Sequence, residues 1–374
     1  MLFRLAAFVA FPVYEDDFYR YLWDGYQLLS AGNPYGTPPA DFFGDLSLPA
    51  GMQLVLDQVN YPSFPTAYGP TLQYFFGLAA LLQPGSLVAW QGLLFVFEFI
   101  VLTLLCRALL SRDSPIPNAS NTQAVAALLL YAWSPLLIFV TGVNAHAEII
   151  AVGFMVFAWI AFGREQKTAA FLLLALAAGA KVFALLAVPF FLWRQPIRYW
   201  VIFGVGLTAL YLPFLLQGSL AGLEGTLAMG QLWEFNSLGY ALFSEVWPFG
   251  EARFWTQLLT LMGLVMIWEI WRRRVLTIAS AVQCCLGWFF WWSPVINPWY
   301  LLWFFPWVVI RPSYTALTAL SVIFLSYATY LNLGQTDLGS FEHALWIRWL
   351  QGTLIAAALV YDAYRFRMKT SRTH

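Results

Sequence analysis

The sequence predicts an all-α integral membrane protein, a bundle of about a dozen helices with one long first outer loop. Three observations lead there. Of 374 residues 61% are hydrophobic and only 10% charged, and mean hydropathy is +0.68, which leaves too little polar surface for a soluble globule of this size. Apolar segments near the roughly 20 residues that cross a bilayer recur between short polar or Pro/Gly-marked breaks. The basic residues are sorted to one side of the alternating loops. Formal net charge is zero, so no basic field exists to recruit nucleic acid. Cys106, Cys284 and Cys285 lie in apolar runs without partners at ligand spacing, which excludes a disulfide framework or a zinc site.

The expected spans, in order, are 1–13, 87–106, 123–140, 147–162, 168–180, 182–193, 199–216, 254–271, 276–292, 299–310, 315–331 and 344–364. The first is short and starts at Met1 with no small-residue cleavage site before Glu15, so it reads as a short or truncated helix rather than a signal peptide. The pairs flanking Lys181 and Pro294 to Pro298 read as tilted or broken helices. With both termini inside, cytoplasmic loops collect all the basic residues except Arg20, Lys181, Arg253 and Arg348. Residues 14–86 then form an outer, periplasmic loop within one polytopic domain, 1–374. This loop holds an amphipathic helix (Phe18 to Leu29), a turn region (Asn33-Pro34-Tyr35-Gly36) and YPSFPTAYGP (61–70). The apolar run that follows is shorter than a span and reads as a helix in or against the interface. No internal repeat of fixed period is present, and the sequon at Asn118 falls in a cytoplasmic loop, where it is chance.

Glu15, Asp16, Asp17 and Asp24 crowd into ten positions of a chain poor in charge. On a helix Asp17 and Asp24 stand two turns apart, about 10 Å along one face. Arg20 is four residues from both Asp16 and Asp24 and can pair with either. Tyr21 and Trp23 bracket that face. Such a surface serves equally as a sugar-binding wall, with a carboxylate as general base, or as a membrane-surface helix with solvated charges and belt aromatics. Lys181 interrupts an apolar stretch from Thr168 to Trp193. A charge within the bilayer costs roughly 2.5 to 3.5 kcal/mol on insertion scales, so Lys181 is a functional candidate against the alternative of a snorkelling helix end. Asn144, His146 and Glu148 gather at the outer mouth of the fourth span, too sparse for a metal site, and fit either substrate binding or helix capping. Glu98, within the second span, must face the bundle or titrate to neutral, and reads as structural pairing more than catalysis. Asn297, Trp299 and Tyr300 occupy a Pro-bounded outer turn, where rings anchor the interface or line a groove. Trp233, Glu234 and Asn236 are weaker candidates of that kind.

The string DDFYRYLWDGYQLLSAGNPYG, followed by YPSFPTAYGP and an apolar helix, resembles the first outer loop of the GT-C superfamily, in particular the bacterial polyprenyl-phosphate mannosyltransferase-like group related to GPI mannosyltransferases. The resemblance continues through WSPLLIFVTGVNAHAEII (133–150), GAKVFALLAVPFFLWR (179–194), WEFNS (233–237) and SPVINPWYLLWFFPW (293–307). It implies a GT-C-like bundle and an inverting transfer of a hexose, mannose by preference, from a polyprenyl-phosphate donor at the outer membrane face. A glycan, lipid or protein acceptor is implied with it. Asp17, or Asp16 beside it, then becomes the catalytic base. Arg20, Tyr21, Trp23, Asp24, Asn33, Tyr35, Tyr68, Asn144, His146, Asn297, Trp299 and Tyr300 become substrate-binding candidates, and Lys181 the phosphate partner. Glu148 joins the substrate-binding set although it departs from the family pattern, which places Asn or Asp after the His. No cofactor is certain beyond the donor itself; a divalent metal stays open, with no ligand set in the sequence to support it. The competing function is a lipid-linked sugar flippase or transporter. It would need a charged path across the bundle and tends to carry internal repeats.

Overall fold

The computed structural model describes residues 2–111, 121–218, 225, 230, 233–332, 342 and 344–370; the sequon at Asn118 lies outside them. Among the described residues every regular element is helical, and extended pairing is confined to a bridge between Phe235 and Val295. The chain divides into two compact units, Met1–Leu232 and Trp233–His374.

The first unit holds α1 (Leu2–Phe8), α2 (Asp17–Ala31), α3 (Ala50–Leu56), α4 (Pro70–Leu82), α5 (Leu87–Leu109), α6 (Asn121–Ala132), α7 (Pro135–Leu137), α8 (Glu148–Gly163), α9 (Lys167–Ala180), α10 (Val188–Leu192) and α11 (Ile197–Leu215). A π-turn, Ile138–Val143, follows α7, and a 3₁₀ turn, Val182–Leu186, follows α9. The second unit holds α12 (Gly239–Ser244), α13 (Phe249–Arg272), α14 (Ile278–Trp292), α15 (Leu301–Ile310), α16 (Tyr314–Val322) and α17 (Leu345–Thr370).

The dozen expected spans resolve differently. Four helical stretches among the described residues are long and apolar enough to cross a membrane: Leu87–Leu109, Thr122–Val143, Ile197–Leu215 and Phe249–Arg272. Six more apolar helices are shorter, among them Glu148–Gly163 and Lys167–Ala180. The expected span 1–13 shrinks to the seven residues of α1. The chain leaves α1 through a turn at Ala10, and Pro12 disfavours helical geometry at Phe11. Arg4 holds α1 in place: its Nε lies 2.7 Å from Glu98 Oε1, and its guanidinium donates to the Ala132 carbonyl. Glu98 thus finds the interior partner its position demanded.

The helices of residues 14–86 pack as a core of their own. α2 buries Phe18, Tyr21, Leu22 and Trp23, and α4 lies directly against it, burying Leu72, Gln73 and Phe76. Gly25 makes the approach possible, since a Cβ there would sit 2.3 Å from the Phe76 carbonyl oxygen. α4, expected at the interface, is in this respect a partner of α2. α9 packs in turn on α4, α8 and α11. Gly69 does for α9 what Gly25 does for α4: its N–H donates to the Ala180 carbonyl at 3.2 Å, and a Cβ would meet the Gly179 oxygen at 2.2 Å. That contact sets Tyr68 beside Lys181. Gly69→Ala will therefore push the end of α9 away and lower stability by about 1 to 3 kcal/mol, as overpacking does; a thermal melt in detergent checks it.

Candidate active site

Asp17 is the first residue of α2, where the helix dipole favours a carboxylate. Its Oδ1 accepts from Asn60 Nδ2 at 2.8 Å, and its Oδ2 accepts from the Tyr68 hydroxyl at 3.1 Å. His146 Nε2 lies 3.0 Å from the same Oδ2, and the Tyr21 hydroxyl lies 3.1 Å from that nitrogen. Beyond the ring, Nδ1 is 2.5 Å from Glu148 Oε2. The other oxygen of Glu148 takes the Lys181 ammonium. Four side chains of alternating charge therefore run in one line, Asp17, His146, Glu148, Lys181. His146 and Glu148 are sealed from solvent, whereas the end members keep 19% (Asp17) and 16% (Lys181) of their side chains exposed.

Local backbone places each member. After Pro135 the helix widens into the π-turn, and Ala145 then adopts φ 53, a left-handed geometry that costs a non-glycine residue about 1 to 3 kcal/mol. The His146 N–H returns to the Val140 carbonyl at 3.0 Å, and Trp90 Nε1 donates to the Ala145 carbonyl at 2.7 Å. This tight reversal aims His146 at Asp17. Glu148 opens α8, and Lys181 breaks α9 by going extended (φ −150, ψ 147), so its side chain leaves the helix toward Tyr68 and lies 5.4 Å from that ring's centroid.

The electrostatics split the two aspartates. Burial would raise the Asp17 carboxyl, but the hydrogen bond and charge of His146, the bond from Asn60 and the charge of Lys181 outweigh it and bring it to about 2. Asp16 moves the other way, raised by the protein around it and by the Asp17 charge against the bond from Asn60. Burial lowers His146, yet Glu148 and Asp17 more than offset it, so the ring is raised above its ordinary value of 6.5. Tyr68 is raised by burial and by Asp17 and remains a neutral donor.

Linkage gives this site a pH window. A lowered carboxyl contributes stability above its ordinary value of 3.8 and loses it as pH falls toward about 2. A raised imidazole contributes below its ordinary 6.5 and loses it as pH rises through its folded value. The melting temperature will thus plateau between these ordinary values, and Asp17→Asn will flatten the acid limb of that plateau in a pH series.

The remaining candidates divide into four groups. Arg20, Trp23 and Asp24 lie inside the protein, not on an open wall. Arg20 Nε is 2.9 Å from Asp24 Oδ1, its Nη2 donates to the Phe64 carbonyl at 3.0 Å, and Gln73 Nε2 donates to Asp24 Oδ2 at 3.0 Å. Trp23 is fully buried, edge-on to Phe42. Asp16, which could have paired with Arg20, instead shares Asn60 with Asp17. Asn33 and Tyr35 shape the turn: Asn33 Oδ1 accepts the Tyr35 N–H at 2.9 Å, and the Tyr35 hydroxyl donates to the Tyr68 carbonyl at 2.9 Å. Asn144 is buried beside the reversal that carries His146.

Asn297, Trp299 and Tyr300 belong to the second unit, where Tyr300 stacks on Phe290 at 6.1 Å. There the backbone of Phe235 exchanges hydrogen bonds with Pro294 and Ile296 at 3.0 and 2.8 Å, joining the segment of Trp233, Glu234 and Asn236 to the turn before Asn297. Asn60 is the residue that sequence reasoning passed over. It is uncharged and sits in no motif, although it directly precedes YPSFP.

A comparison with curated proteins finds no match. A family model described as the N-terminal domain of alpha-(1->6)-mannopyranosyltransferase, the MptA_B family, matches residues 2–196, more than half of the chain and all four members of the charged line. The chain therefore belongs to the alpha-(1->6)-mannopyranosyltransferase family and is a GT-C mannosyltransferase-like glycosyltransferase of the membrane, acting on a sugar donor and an acceptor.

Proposed function

We propose that this chain moves a mannosyl unit from a polyprenyl-phosphate donor to a hydroxyl of an acceptor at the outer face of the cytoplasmic membrane, with inversion and with Asp17 as base. The observation that carries the reading is the alternating line from Asp17 to Lys181. It offers an ionised carboxylate at one partly exposed end and an ammonium at the other, the two groups that a single displacement of a lipid phosphate from C1 of a sugar requires. In that step Asp17 Oδ2 takes the acceptor hydroxyl proton while the acceptor oxygen bonds to C1 of the sugar. The bond from C1 to the phosphate oxygen breaks, and its electron pair leaves on the polyprenyl phosphate, which Lys181 holds. Asp17 then returns its proton to water. An α-linked product, as the family description names, follows by inversion from a β-linked donor. Arg20 and Asp24 order the loop that carries these groups; the acceptor is a glycan, lipid or protein.

The test uses the purified chain in sealed proteoliposomes with polyprenyl-phosphate [¹⁴C]mannose and an oligomannoside acceptor. Label should join the acceptor in a form released by α-mannosidase, and the Asp17→Asn variant should not form it. Label that crosses the bilayer without joining any acceptor would overturn the reading in favour of a flippase.

A further inference from the structure

A carboxylate held near 2 is always ionised but binds a proton weakly, so in the resting protein Asp17 is a feeble base. The geometry of the line suggests what changes this when substrate arrives. Glu148 is fully buried, and its two oxygens are divided, one to the His146 imidazole and one to the Lys181 ammonium. We propose that Glu148 is a positioning residue that couples donor occupancy to the base: a lipid phosphate that draws Lys181 off Glu148 leaves the whole Glu148 charge on His146 and removes the ammonium's field from Asp17, so that Asp17 becomes a stronger proton acceptor only with donor in place. This rests on the proposed donor class and on Asp17 as base.

The charged and titratable groups described around the ring agree with that direction. From α2 come Asp17 and the neutral Tyr21 hydroxyl, with Asp16 and Glu15 just ahead of the helix. Tyr68 comes from the segment before α4, Glu148 from α8 and Lys181 from the end of α9. Lys181 is the cation of this set besides His146 itself. Neutralising it with a phosphate leaves His146 among carboxylates, which strengthens its hold on its proton and raises its neighbour Asp17 in step. The ion pair Lys181 leaves behind is largely buried, so little solvent screens the change.

The chain has three histidines, so ¹⁵N-histidine NMR in nanodiscs can follow His146, assigned with His343→Ala and His374→Ala. Saturating polyprenyl phosphate lacking a sugar should raise the His146 titration midpoint by about one unit or more, the size of effect an opposite charge within 4 to 6 Å exerts. Lys181→Met should start from the raised midpoint and not respond, Lys181→Arg should keep the response, and Glu148→Gln should lower the midpoint and lose it. In turnover, Glu148→Gln should lower kcat while leaving donor KM within about threefold, the pattern of an interaction that acts in the transition state. A His146 midpoint that stays put while the lipid is bound, or a lipid that does not bind, overturns the proposal. An active Asp17→Asn enzyme whose His146 midpoint still shifts overturns only the base assignment.

Discussion

Asp17→Asn will cut the rate of sugar transfer by about 10² to 10⁴, the contribution a positioned general base makes, while Asp16→Asn will cost less than about tenfold. The two residues are adjacent, yet the structure gives them different work. Asp17 holds three partners, Asn60, Tyr68 and His146, and forms the end of the charged line. Asp16 shares Asn60 alone and is the more exposed of the two. Asparagine at position 17 keeps the volume and can still accept from Tyr68, so α2 should keep its start. What it cannot do is receive a proton or balance the imidazolium, and His146 will titrate lower in this variant. Transfer rates for the two single variants and the double variant, with melts to show that each is folded, make the check. Loss in Asp16→Asn with activity kept in Asp17→Asn would move the base one residue upstream.

The acidic cluster was legible because charge is scarce in this chain, and four acids in ten positions stand out against that background. Helical spacing likewise brought out the pairing of Arg20 with Asp24, but it offered Asp16 to Arg20 on equal terms. Burial decides between them: Asp24 is sealed under α4 and must have a cation, whereas Asp16 meets water. Spacing also put Asp17 and Asp24 on one face, although each serves a different centre. Asp17 meets a histidine 129 positions away, a distance no local period reports. The reversal that delivers His146 depends on a π-turn and a left-handed Ala145, and alanine carries no sign of either. Hydropathy found the apolar helices and the break at Lys181, but it lengthened others, since the turn after α1 and the 3₁₀ segment after α16 are nearly as apolar as the helices they follow.

The clamp beneath the site yields the largest stability effect. Arg20→Met will destabilise the packing of α2 with α4 by about 3 to 5 kcal/mol, because removing one member of a buried pair leaves the other charge without compensation. Asp24 is fully buried, and with Arg20 gone the Gln73 amide is left to donate to it. The same change frees the Phe64 carbonyl, to which Arg20 Nη2 donates, and so loosens YPSFPTAYGP from α2. Tyr68 lies in that segment, and through it the loss reaches Asp17. The double variant Arg20→Met with Asp24→Leu should recover most of the stability, since an apolar pair of similar volume carries no desolvation penalty. It should not recover transfer in full, because Phe64 still lacks its donor and Tyr68 is held less firmly. Melting temperatures of the two singles and the double, set beside their transfer rates, separate these effects. If Arg20→Met melts with the parent, the buried pair contributes nothing, and the loop must be held by the contact of α2 with α4 alone.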